Sequence, residues 1–217
     1  LEQYFLTEPK ITLWFGLTPF SVIKEFYLWQ PFTYLFIHDT SPFHIIFNLL
    51  LLWWLGGELE QVWGSRFFML YYFVCGIGAG FLYSFFALGA SIVTSRLDML
   101  VTPVIGASAA VFGLMVAYGL VFGERVVYFM FVIPMKAKFF VLFLAAIELV
   151  MVLNNGLGGQ GKVANLAHLG GLVVGFIFLI HPIHTSVVVN LKSRDGLFSM
   201  LFFLLAILQM LQYFKTD

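Results

Sequence analysis

Six apolar runs separated by short polar links leave this chain few folds to choose from. They lie at approximately 43–60, 67–88, 104–122, 137–153, 163–181 and 197–214. At about 1.5 Å of rise per helical residue, each is long enough or nearly long enough to cross a hydrocarbon layer about 30 Å thick. The predicted class is therefore all-α, a polytopic membrane helix bundle folded as one domain over 1–217, with the core spans in 43–181 and a further span at 197–214. The links at 61–66, 89–102, 123–136, 154–162 and 182–196 are short, which makes neighbouring helices antiparallel. The runs beginning at 43, 104 and 163 then start on the same side of the membrane.

Composition agrees with a lipid environment, since 61% of the 217 residues are apolar and only 10% are charged, against about a quarter in ordinary globular proteins. Eleven basic residues balance eleven acidic ones, so no basic field points to nucleic acid and no acidic field to a cationic ligand. The single cysteine, Cys75, lies in an apolar run and reads as packing. Residues 1–10 lack the layout of a signal peptide. Residues 1–30 mix Phe5, Trp14, Phe15, Phe20, Phe26, Tyr27 and Trp29 with Glu8, Lys10, Lys24 and Glu25 and are broken by Pro9, Gly16 and Pro19. Aromatics among charges suit the headgroup layer, and 1–42 reads as an outer interfacial loop with short helices. Arg66, Arg125, Lys136, Lys138, Lys192 and Arg194 fall on one side, and Lys10, Lys24, Arg96, Lys162 and Lys215 on the other. Counted over short loops, this bias makes the first group cytoplasmic, so that 43, 104 and 163 start on the outer side of a plasma or inner membrane.

The polar side chains inside the runs are few and stand at one depth. His44 and Asn48 open the first run, Ser108 the third, and Asn165 and His168 the fifth. Each alone could be an interhelical hydrogen bond, but their coincidence points to a site, because polar and ionisable groups within spans mark functional positions. Small residues recur every four positions at Ala109, Gly113 and Ala117, and again at Ala167, Gly171 and Gly175. Such stripes let two helices close on one another, with Ser108 and His168 beside the seam and Leu172 off it. Phe112, one turn after Ser108, shares its face and can stack on the imidazole. A neutral imidazole can take the proton that makes a serine nucleophilic. His44 and Asn48, at i and i+4, can both donate to a developing oxyanion.

Other chemistries lack residues. There is no H-E-x-x-H motif, and no second carboxylate suggests an aspartyl dyad. Pro182 breaks the helix between His181 and His184, on the opposite side of the membrane. No metal and no cofactor is expected. Glu148, in the middle of the fourth run, reads either as a protonated group hydrogen-bonded in a helix interface or as a proton relay, the first being preferred.

Taken together, His44-Ile-Ile-Phe-Asn48, the turn from Glu60 to Gly64-Ser65, Gly106-Ala107-Ser108, and Ala167-His168-Leu169-Gly170-Gly171 with Gly175 resemble the rhomboid family of intramembrane serine proteases over roughly 29–182. The resemblance implies Ser108 as nucleophile, His168 as base, and His44, Asn48 and the Ser108 N–H as oxyanion donors. A Ser-His dyad suffices in that family, in keeping with the absence here of a carboxylate assigned to His168. The implied partners are single-span membrane substrates cut near the outer face, within the bilayer and without metal or nucleic acid. The alternative is a rhomboid-like protein that binds or sorts membrane proteins without cutting them, although such relatives generally lack the serine or the histidine. The chain departs from the family pattern in having Ala109 where Gly usually follows the serine, and Gln30 where Arg often follows Trp29. It also opens almost in the first outer loop, so the six runs correspond to the second to sixth family spans plus one extra.

Overall fold

The structure, a computed structural model, describes residues 10–38, 42–95, 97–129, 132–154 and 160–181. Three short helices lead, α1 Lys10–Phe15, α2 Pro19–Lys24 and α3 Gln30–Thr33, the last continuing as a 3₁₀ turn, Tyr34–Phe36. The long elements follow: α4 Pro42–Trp63, α5 Ser65–Thr94, the single turn α6 Asp98–Val101, α7 Ser108–Val121, α8 Ala137–Asn154 and α9 Gln160–Ile180. Among the described residues, Pro42–Trp63, Ser65–Val93 and Ala137–Asn154 are long and apolar enough to cross a membrane, and Ser108–Val121 and Ala164–Ile180 are shorter apolar helices. The expected span at 197–214 and His184 lie outside the described residues.

Helix α7 is the centre of the bundle, packed against α5 and α9, with α8 closing one side and α4 leaning on the other. Its Gly and Ala positions explain this: nearly every residue from Ala109 to Leu120 is buried, so the helix has no lipid face and is apolar all round. The outer helices instead expose Phe43, Phe47, Trp53, Phe85, Ile92, Phe139 and Ile177. Apolar side chains turned outward around a packed core are what a lipid solvent permits. The chain is an integral membrane helix bundle.

Three local differences from the sequence reading have physical causes. The run at 104–122 becomes helical only at Ser108, because Gly106 sits at φ +115°, a conformation open to glycine. Backbone at this depth needs partners: Val104 and Leu17 exchange two hydrogen bonds of 2.8 Å, and the Gly106 N–H donates to the Tyr34 carbonyl at 2.9 Å. The link at 123–136 holds an antiparallel hairpin, β1 Val126–Phe129 and β2 Ile133–Lys136, where β-branched and aromatic residues outweigh the helical surroundings. Glu124 clamps it through Lys136 at 2.6 Å and through Lys138, and these cations hold the exposed carboxyl down at about 2. Finally Leu172, expected to lie off the seam, is buried in the core, because α9 is enclosed on more faces than its small-residue stripe alone suggests.

The leading segment is fastened through Gln30. Fully buried, it accepts from the Thr18 N–H at 3.0 Å and donates to the carbonyls of Leu13 at 2.9 Å and Trp14 at 3.4 Å. Trp14, Tyr27 and Trp29 stack beside it, and the Trp29 indole N–H donates to the Trp14 carbonyl at 2.8 Å.

Candidate active site

Ser108 is the first residue of α7, where the N–H groups of the opening turn have no acceptor within the helix. Its Oγ lies 2.7 Å from Nε2 of His168 on α9. The helices can bring the two so close because α7 and α9 meet through glycine. A Cβ added to Gly171 would overlap the Ala109 carbonyl, and one added to Gly113 would come within 3.3 Å of the Gly171 carbonyl oxygen. Gly175 faces Gly113 in the same way, and Ala167 is buried one residue before His168. The Tyr71 hydroxyl donates to the Gly113 carbonyl at 2.7 Å and ties α5 to the same seam.

Phe112 stacks on the His168 ring, with centroids 4.4 Å apart and planes inclined by 12°. The other ring nitrogen, Nδ1, lies 3.1 Å from Oε1 of Glu148 on α8. The expectation that no carboxylate would accompany this histidine is therefore corrected. Glu148 sits between the buried Ala145 and Val152, at i−3 and i+4, and so on the inward face of α8. Sequence position alone could not connect it to a residue on the next helix, although its being a carboxylate in mid-helix was the available signal.

His44 and Asn48 occupy the neighbouring wall, formed by α4. A Cβ on Gly106 would meet the His44 ring at 3.0 Å and the Ser108 Oγ at 3.6 Å, so imidazole and hydroxyl flank the same glycine. Asn48 is buried, and its side-chain amide donates to the His44 carbonyl at 2.9 Å, leaving one amide hydrogen for another acceptor. His38 went unnoticed in the sequence. Its ring stands 5.5 Å from that of His44, and its Nε2 makes a long contact of 3.5 Å with the Ala107 N–H. Burial, then the His44 charge, hold the His38 ring below its ordinary range, against a hydrogen bond with Phe36 that raises it. Asn165 is buried one turn before His168, with no partner for its Nδ2 among the described residues. No group of His, Cys, Asp and Glu suited to a metal occurs among the described residues.

Comparison with known proteins places this architecture. A family model for the rhomboid domain matches residues 25–184. The chain is 32% identical over 165 residues to RHOMBOID-like protein 1 of Arabidopsis thaliana, covering 74% of this chain and 37% of that protein. It is 29% identical over 164 residues to the rhomboid protease GluP of Bacillus subtilis, covering 75% of this chain and 27% of the relative. A 47-residue stretch is 47% identical to the rhomboid protease GlpG of Salmonella newport, covering 22% and 17% of the two chains. The chain thus aligns with about a third of the length of the first two relatives. With the family model spanning well over half of its residues, the chain belongs to the rhomboid family.

Proposed function

We propose that this protein is an intramembrane serine endopeptidase that cuts single-span membrane proteins near the outer face of its membrane, with Ser108 as nucleophile and His168 as base. The observation that carries this reading is the 2.7 Å approach of the Ser108 Oγ to the His168 Nε2, under a ring held flat by Phe112. Nucleophile and base within about 2.6–3.2 Å, with a third group orienting the base, is the geometry of an activated serine.

In the reaction, Ser108 attacks the scissile carbonyl as its proton passes to Nε2. The oxyanion forms at the start of α7, where the unpaired N–H groups of the first turn carry the positive end of the helix dipole. His44 and Asn48 supply further donors from α4. His168 then gives the proton to the leaving amide nitrogen, and water releases the acyl group by the reverse path. A substrate helix must locally unwind to present its carbonyl, because a helical carbonyl is already hydrogen-bonded.

The test is cleavage of a generic single-span substrate in liposomes, together with labelling by a fluorophosphonate. Wild type should cut and be labelled at Ser108; Ser108→Ala and His168→Ala should each abolish both, and the double variant should be no worse than either single. Binding of the substrate without cleavage or labelling would establish instead a rhomboid-like protein that sorts membrane proteins.

A further inference from the structure

We propose that Glu148 is a positioning residue for His168, so that this chain works with a Ser-His-Glu array in place of a bare dyad. The inference rests on the protease reading above. Three helices contribute one group each along a continuous line: Ser108 Oγ on α7, the two ring nitrogens of His168 on α9, and Glu148 Oε1 on α8, with separations of 2.7 and 3.1 Å.

The tautomer decides the matter. An imidazole can take the serine proton only if Nε2 carries the lone pair, which leaves the ring hydrogen on Nδ1. An ionised carboxylate is acceptor-only, so at 3.1 Å it selects the Nδ1–H tautomer. A protonated Glu148 donating to Nδ1 would place the hydrogen on Nε2 and point a donor at the serine. The carboxylate also lies where it can stabilise the imidazolium that forms as Ser108 attacks.

Burial supports a working rather than incidental contact. The side chains of His168 and Glu148 are only 17% and 13% exposed, and Glu148 Oε2 is buried with no hydrogen-bond partner among the described residues. A carboxylate held in a span with one oxygen unpaired costs stability. A leucine would fill the space without that cost, so helix packing alone does not account for the residue. Phe112 fixes the plane of the ring but cannot choose between tautomers, because stacking treats both nitrogens alike. A group at the Nδ1 edge can make that choice, and Glu148 occupies it.

The experiment compares wild type, Glu148→Gln, Glu148→Leu and Glu148→Asp in liposomes. The readouts are kcat and KM for a single-span substrate, the fluorophosphonate labelling rate, and the ¹⁵N spectrum of His168. Glu148→Leu should lower kcat by on the order of 100-fold while KM stays within about twofold, since only proton transfer is disturbed. Labelling should fall in parallel. Glu148→Asp should restore more activity than Glu148→Gln, which can accept from Nδ1 or donate to it. The spectrum should show Nδ1–H in wild type and a mixture of tautomers in Glu148→Leu. A Glu148→Leu protein with wild-type kcat and an unchanged tautomer overturns the proposal, as does a loss confined to KM. A wild type inert to both substrate and fluorophosphonate would overturn the protease reading, while the spectrum would still decide whether Glu148 sets the tautomer.

Discussion

Gly171 and Ala109 meet backbone to backbone: a single carbon added to Gly171 would overlap the Ala109 carbonyl. That contact sets the distance between α7 and α9, and so the reach from Ser108 to His168. Gly171→Leu should lower cleavage by at least about 100-fold, because a separation of about 1 Å can cost that much. Gly171→Ala should lie in between. Ile177→Leu, on the same helix but exposed, is the control and should cleave normally. Leu172 cannot serve, because it is buried. Near-normal cleavage and labelling by Gly171→Leu would show that the seam does not set the site.

Gly106 carries a second constraint close to the serine. At φ +115°, and with the His44 ring 3.0 Å from where a Cβ would stand, alanine meets both backbone strain and a displaced imidazole. Gly106→Ala should lose most of its kcat while the rest of the bundle stays folded, since the strain is local. Combining it with His44→Ala should recover only the part of the thermal stability lost to the displaced imidazole, without recovering activity, because the backbone strain at φ +115° remains. If Gly106→Ala cleaves as fast as wild type, the positions of His44 and Ser108 around this glycine are not needed for turnover.

His44→Ala and Asn48→Ala should reduce kcat and leave KM nearly unchanged, as donors to a charge that develops only in the transition state. Removing one such donor typically costs about 2.7–4 kcal/mol. The loss should be partial, because the first-turn N–H groups of α7 remain. Asn48 should show the weaker effect, since its amide already serves the His44 carbonyl. A change in KM alone would remove both residues from the oxyanion role.

The depressed His38 ring gives the fold a pH dependence. The unfolded chain takes up a proton near the ordinary histidine value of 6.5, while the folded chain resists until lower pH. Stability is therefore intact above about 6.5 and declines as pH falls towards the depressed folded value. Thermal denaturation in mild detergent should show a falling Tm below that point. His38→Gln, which cannot titrate, should flatten the decline, and an unchanged slope would place the acid sensitivity elsewhere.

The helices were legible in the sequence because lipid demands long apolar runs, and the seam was legible because small residues recur at a spacing of four. Ser108, Phe112 and His168 could be brought together on that basis. What escaped were groups whose partners lie at no regular spacing. Glu148 faces His168 across 20 residues, and His38 reaches Ala107 across 69. The non-helical backbone at 104–107 was hidden inside an apolar run, because hydropathy does not distinguish a helix from an irregular segment whose Val104 pairs with Leu17. Gln30, which read as the loss of an arginine, proved to have partners of its own.

Those partners make the final prediction. The Gln30 carbonyl takes the Thr18 N–H and its amide group serves the Leu13 and Trp14 carbonyls, so the side chain must both accept and donate. Gln30→Leu should destabilise the leading segment by about 1–3 kcal/mol for each buried backbone group left unpaired. Gln30→Arg restores the family's usual residue but supplies donors only. It leaves the Thr18 N–H without an acceptor at a fully buried position. Its Tm should therefore fall below wild type, with partial loosening of the Trp14–Tyr27–Trp29 stack visible in tryptophan fluorescence. The site lies on other helices, so residual cleavage at low temperature should survive better than stability does. An arginine variant as stable as wild type would mean that the Thr18 contact contributes nothing and that the segment is held by its aromatic stack alone.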